Sequence, residues 1–220
     1  MTQTTDYILN DIEAVALSDS IEEIINLFEL YTYTHLPVVE KDIYCGTIAK
    51  NDLDFIDVTD KNIEDLKSLL HPVYANENMS WFEVLQLFAT HNSNLLPVLN
   101  NDNIYIGYYE FDDFLNIFRC TPFLHEEGVI ITISKGINDY SMSQISQIVE
   151  SNNATLFGVF VSKIENETAN ITLKLSIHDI NNTILSFRRY GYHIITEIHE
   201  DKFIENLKER SEYLTKFLNI

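Results

Sequence analysis

Two aspartates carry the first hint of chemistry. Asp52 and Asp113 lie 61 residues apart, and each stands six residues after a glycine, Gly46 and Gly107. A carboxylate is a hydrogen-bond acceptor, and its plainest use at such a place is to satisfy free N–H groups at a helix start. Little else in the chain suggests covalent chemistry. No G-x-S-x-G, P-loop or dinucleotide-binding fingerprint occurs, and no spacing sets a nucleophile beside a base. The seven histidines show no H-x-x-x-H spacing and the two cysteines no C-x-x-H, so no metal centre and no cofactor are expected. Arg188 and Arg189 form the one adjacent basic pair, and on a helix they point about 100° apart, which denies them a shared fork for an anion. The expectation is a protein that is not an enzyme.

The elements that position the two aspartates are themselves repeated. Residues 20–39 and 80–99 share seven of twenty positions at an offset of 60, and one extra residue then shifts the offset to 61. Each copy begins with an S-x-x-E capping box, Ser20 with Glu23 and Ser80 with Glu83. Ile21, Ile24, Ile25 and Phe28 follow at helical spacing, as do Trp81, Val84, Leu85 and Phe88. Leu36-Pro37-Val38 and Leu96-Pro97-Val98 open a short apolar strand, where a proline at the first position breaks no ladder bond. A turn, a second strand containing the glycine, and a short helix complete each copy. Residues 12–17 are the extended lead-in to the first copy and residues 73–75 to the second. Ile63, Leu66, Leu69 and Leu70 mark a linker helix that ends before Pro72.

This doubled helix–strand–strand–helix unit resembles the CBS domain, over roughly residues 5–120, on its L-P-V openings, its paired glycines and the aspartates six residues on. Such domains occur in tandem and pack face to face as a Bateman module. The resemblance implies clefts that hold adenosine compounds, with the aspartate accepting the ribose hydroxyls. It implies Asp52, Lys50, His35, Pro37 and Val15 as ligand residues of the first cleft, and Asp113, Asn94, Pro97 and Val73 of the second. The family's Ser or Thr three residues before the aspartate is not kept; Ala49 and Glu110 stand there. Ala49 removes a hydrogen bond, and Glu110 sets a carboxylate where a phosphate would lie. Two readings stay open: an adenosine sensor, and an interaction module whose degenerate clefts have lost their ligand and which docks on a protein partner. For each aspartate, a helix cap stands beside the ligand reading.

Charge divides the chain. The net charge is −20, and residues 1–127 hold 5 Lys/Arg against 23 Asp/Glu. A surface this acidic repels polyanions, so neither nucleic acid nor an anionic membrane is an expected partner. No apolar run reaches eighteen residues, and the first eleven residues have neither a basic nor an apolar signal region, which makes the cytoplasm the expected location. Cys45 and Cys120 are expected as free thiols.

Beyond Gly128 the pattern changes. Strands are expected at residues 128–134, 154–164, 171–177 and 193–198, with helices opening at Ser141 and Asp179 and a stop at Gly191. The order βαββαβ makes a ferredoxin-like sandwich, and behind a CBS pair it resembles an ACT domain. The whole layout is similar to the acetoin-utilisation regulatory proteins. ACT domains bind amino-acid effectors at the loop after the first strand, which implies Gly136, Asn138 and Asp139. Residues 201–220 read as an amphipathic helix that packs on its own domain or serves as a dimer seam. The expected architecture is therefore α+β: a tandem CBS pair over residues 1–125 (copies at about 5–60 and 61–125), an ACT-like domain over 126–200 and a C-terminal helix. The expected protein is a homodimeric regulatory sensor.

Overall fold

The computed structural model describes residues 3–54, 56, 61–176 and 180–196. The chain forms two compact units, Met1–Phe118 and Arg119–Ile220. The expected C-terminal helix, the cap at Asp179 and the far ends of two strands lie outside the described residues.

In the first unit, copy one contains α1 (Ile21–Leu30), β1 (His35–Glu40), β2 (Ile43–Ala49) and α2 (Lys50–Leu53). Copy two contains β3 (Ala75–Asn76), α3 (Trp81–His91), β4 (Leu95–Leu99), β5 (Tyr105–Glu110) and α4 (Phe111–Arg119). Both capping boxes form, and each serine hydroxyl accepts from the glutamate N–H while the glutamate accepts in return. Those bonds, from the serine side chain first and its backbone second, hold Glu23 and Glu83 below the usual carboxylate range. Ile21, Ile24 and Phe28 of α1, and Val84 and Phe88 of α3, turn inward as the spacing predicts. The linker over Ile63–Leu69 is 3-10 helix interrupted by a kink at Leu66, which leaves helical geometry at φ −109° and ψ 16°.

Each copy is an antiparallel β pair with a bulge at the same place, Val38/Val39 in one and Val98/Leu99 in the other. A lead-in strand lies parallel to the first strand of each: Val15 beside Val38, and Ala75 beside Val98. The second strand is covered by chain from elsewhere. Leu9 pairs with Tyr108 of β5, and His71 pairs with Thr47 of β2. Tyr7 and Ile8 pack on the core of copy two, and Leu69 and Leu70 on the core of copy one. The segment leading into each copy thus completes the other.

The glycines explain themselves here. A Cβ on Gly107 would sit 2.3 Å from the Leu9 carbonyl oxygen, and one on Gly46 would sit 2.7 Å from the Leu70 Cβ. Both also hold φ values, +139° and +149°, that side chains disfavour.

The second unit begins with α5 (Pro122–His125) and continues through β6 (Val129–Gly136), α6 (Met142–Ser151), β7 (Leu156–Glu165), β8 (Thr168–Leu175), α7 (Ile180–Arg189) and β9 (His193–Ile194). Its sheet runs β7-β8-β6-β9 with every pairing antiparallel, a ferredoxin-like order. Ile131, Ile133, Ile171 and Leu173 of the sheet pack with Ile145, Ile148, Ile184 and Phe187 of the helices. On the opposite face Phe123 of α5 lies over Gly158, where a Cβ would come within 2.4 Å of its ring, and meets Phe160 at a centroid distance of 5.6 Å.

Gly107→Ala is expected to destabilise the first unit by about 2–4 kcal/mol, from left-handed strain and the clash with a carbonyl. Gly46→Ala should lose less, because its nearest obstacle, the Leu70 Cβ, lies 2.7 Å away where the Leu9 carbonyl oxygen lies 2.3 Å from the Gly107 position. Urea unfolding midpoints of the two variants check the order.

Candidate functional site

The two aspartates occupy the same local position and meet different surroundings. Asp52 is the third residue of α2, and the residue at the cap is Ala49, which supplies no side-chain acceptor. Asp52 therefore does not cap its helix. Its Oδ2 lies 2.8 Å from the Nε2 of His71, with 29% of the aspartate side chain and 50% of the histidine side chain exposed. The imidazole is delivered from the far side of β2. The His71 N–H donates to the Thr47 carbonyl and the Thr47 N–H donates back, both at 2.9 Å.

His35 opens β1 close by, its Nδ1 2.8 Å from the Thr34 hydroxyl. Burial draws its pKa below the ordinary histidine range; the charge on His71 adds to this, Asp52 opposes it, and His91 contributes in the same direction as His71. Pro37 sits inside β1, and its carbonyl accepts the Val15 N–H at 3.0 Å. Val15 is buried in the core of copy one. Lys50 reaches the carbonyl of Phe28 at 3.3 Å, closing the last turn of α1. It also lines a cavity of about 340 Å³ with Ile25, Phe28, Leu53 and Ile56. A second cavity of about 420 Å³ is lined by Val15, Ile12, Ala14, Leu27 and Tyr31. The structure thus brings His35 and Asp52 together around His71, and sets Lys50 and Val15 on separate hollows, neither lined by Asp52.

Asp113 is likewise the third residue of its helix, α4. Burial first, then Glu110 and Asp112, raise its pKa above the usual carboxylate value. Glu110 accepts the hydroxyl of Tyr33. Burial and that bond push the Tyr33 phenol up to about 12. The Tyr33 ring meets Tyr108 edge-on at 6.0 Å, and the Tyr108 hydroxyl donates to Asp11 at 2.6 Å. Asn94 ties the copies to each other. Its Oδ1 accepts from the Thr34 N–H and hydroxyl at 2.8 and 3.0 Å, and its Nδ2 donates to the Thr32 carbonyl at 2.8 Å. What remains is a hollow of about 110 Å³ among Thr32, Tyr33, Asn94, Glu110, Phe111 and Asp112. Pro97 is buried in β4 opposite Tyr108. Val73 packs into copy two while its carbonyl accepts from Tyr44 at 2.6 Å and Thr47 at 3.1 Å in copy one.

In the second unit Gly136 ends β6 and the chain turns at once. The N–H groups of Asp139 and Tyr140 donate to the Gly136 carbonyl, and Ile137 donates to Glu167. The Asp139 carboxylate folds back to within 2.5 Å of the place a Cβ on Gly136 would take. Asn138 and Asp139 are exposed. Among the described residues no three His, Cys, Asp or Glu side chains converge as metal ligands, and no helix is long and apolar enough to cross a membrane.

Sequence reasoning did not find His71, Thr34 or Tyr33. Each acts across the boundary between copies, at sequence separations of 19, 60 and 77 from its partner, and no local signal announces such a bond.

Comparison with known proteins gives the family. Residues 5–55 and 63–119 each match the CBS domain. The inosine-5'-monophosphate dehydrogenase of Methanocaldococcus jannaschii is 29% identical over 147 residues, which are 66% of this chain. The chain spans 29% of that enzyme's length. A CBS domain pair/ACT domain protein from Thermotoga maritima is similar at 21% identity and a TM-score of 0.47, over 53% of this chain and 96% of the other. A protein of Methanocaldococcus jannaschii is similar at 20% identity and a TM-score of 0.46, over 56% of this chain and 62% of the other.

The lowered pKa of His35 fixes a sign. Over the range between its folded pKa and the ordinary value near 6.5, the unfolded chain binds more protons, so stability falls as the solution is acidified through that range. His35→Gln is expected to remove this component. Melting temperatures of both proteins from pH 7.5 to 5 check it: the wild type should show the steeper decline.

Proposed function

The chain is a tandem CBS domain protein, and from that premise we propose that it is a non-catalytic sensor that takes one adenosine compound per chain, in the first cleft. Asp52 accepts the ribose hydroxyls. The observation that supports this is the contrast between the two aspartates. Asp52 is reachable and bonded to an exchangeable, half-exposed imidazole, whereas Asp113 stands among carboxylates whose neighbour Glu110 is already bonded by a half-buried phenol. Three acidic side chains beside the second hollow disfavour any phosphate there. In the first cleft Lys50 faces a helix end, so the nucleoside rather than a phosphate chain carries most of the affinity.

The reading includes an ACT-like second unit, a cytoplasmic setting and a homodimer. The helical face of copy two supports the dimer: Phe82 is 64% and Leu115 41% exposed, beside Trp81. The positions corresponding to Phe82 and Leu115 in copy one are Glu22 and Asp54. An amino-acid effector at Gly136, Asn138 and Asp139 is a further part of the proposal, and it would have to displace the Asp139 carboxylate that folds back over Gly136. The second reading, an interaction module that docks on a protein partner, draws on the same closed second cleft.

A thermal-shift series with adenosine, AMP, ADP, ATP, S-adenosylmethionine and the amino acids tests the proposal. A ligand at 100 times its dissociation constant adds about 2.7 kcal/mol, a rise of several degrees. The expected result is a rise with an adenosine compound that Asp52→Ala abolishes. A rise with an amino acid alone would move the site to the second unit, and no rise with any compound would leave the interaction module. Light scattering should give a mass near twice 25.6 kDa.

A further inference from the structure

One side chain stands in the way of the proposed ligand. His71 lies in the segment that leads into copy two, just before Pro72, and pairs with Thr47 as Leu9 pairs with Tyr108. Its backbone is fixed to β2 by the paired bonds with Thr47, and Tyr44 donates a further bond to its carbonyl at 3.3 Å. Its imidazole reaches the Asp52 carboxylate at 2.8 Å. A carboxylate that accepts from an imidazole there is less available to accept from a ribose. Half the histidine side chain is exposed, so it can swing into solvent while its backbone stays paired.

We infer that His71 gates the first cleft: it competes with the ligand's hydroxyls for Asp52, and gaining a proton strengthens its hold, so that ligand affinity falls on acidification. The inference rests on the adenosine reading of that cleft. A neutral imidazole gives Asp52 one ordinary hydrogen bond, and an imidazolium gives a charge-assisted one. The titratable groups facing this imidazole are Asp52 from α2 and His35 from β1, with Tyr44 of β2 bonded to its carbonyl and His91 at the end of α3 acting on His35. Burial pushes the Tyr44 phenol up to about 12, so it stays neutral throughout the relevant range. Burial holds His35 below the ordinary histidine range, and it is His71 whose imidazole is bonded to the Asp52 carboxylate. The lead-in segment of copy two thereby senses whether the cleft of copy one is filled: an occupied Asp52 frees the side chain of His71, and an empty one holds it.

The test is calorimetric titration of the full chain with adenosine, from pH 5.5 to 8. Adenosine carries no charge in that range, whereas a phosphate would itself be drawn to a protonated histidine. Affinity in the wild type should rise with pH, about two- to fivefold across the histidine range near 6.5, the size expected of a partly exposed ion pair. His71→Gln should bind at least as tightly as the wild type at pH 8 and show no slope. His71→Lys should bind weakly at every pH, because its charge persists. Asp52→Asn should lose the slope while keeping an acceptor. His35→Gln should keep the slope. A wild-type slope retained in His71→Gln, with no gain in affinity, overturns the gate and leaves the adenosine site standing. Absence of adenosine binding in both the wild type and His71→Gln, each shown to melt cooperatively, overturns the site and the gate together.

Discussion

The first unit depends on one exchange of backbone. Residues 8–9 lie on β5 and residues 70–71 lie on β2, each pressed against a glycine that has no room for a Cβ. Neither copy has a complete sheet without the segment that precedes its twin. A single copy would leave a row of open N–H and C=O groups along its second strand, a liability for any edge strand. The exchange pairs the middle of that edge, at Thr47 in one copy and Tyr108 in the other, and it also fixes where the joining segment runs. That path is what brings His71 to Asp52 and Asp11 to Tyr108, so the polar chemistry of both clefts is set by a packing constraint elsewhere.

From nearly symmetric scaffolds the two clefts then diverge by single residues. The position before the helix is Ala49 in one and Glu110 in the other, and the mid-strand position is Thr47 in one and Tyr108 in the other. The larger pair builds a closed network, Asp11–Tyr108 and Tyr33–Glu110, within which burial raises both phenols. The smaller pair leaves Asp52 part-exposed, bonded to the half-exposed His71. Duplicated backbones conserve where a side chain starts, and its size and charge decide whether a hollow is lined or filled.

Local signals in the sequence carried most of the fold. Ser20 with Glu23 and Ser80 with Glu83 start helices through bonds three residues long, and alternation in β8 and the stop at Gly191 are equally short-ranged. The linker helix was legible as a helix, but not its 3-10 form or the kink at Leu66. The site was legible only in part. Asp52 and Asp113 stand at matching positions as the repeat implies, yet the helix-cap use open to a carboxylate there falls away because each helix begins too early for it. The imidazole bonded to Asp52 and the phenol bonded to Glu110 beside Asp113 arrive from across the copy boundary, where periodicity and motif spacing have nothing to report. Lys50 shows the same limit: its charge invites a phosphate, and its actual contact is the end of α1.

The central claim is that one of two related clefts is open to a nucleoside and the other is closed by its own side chains. Calorimetric stoichiometry tests it most directly, with adenosine titrated into the intact wild-type protein at neutral pH. The account predicts one adenosine per chain. Two per chain would show that the Tyr33–Glu110 closure is no barrier, and none would show that Asp52 is not a ligand acceptor; either result would contradict the account.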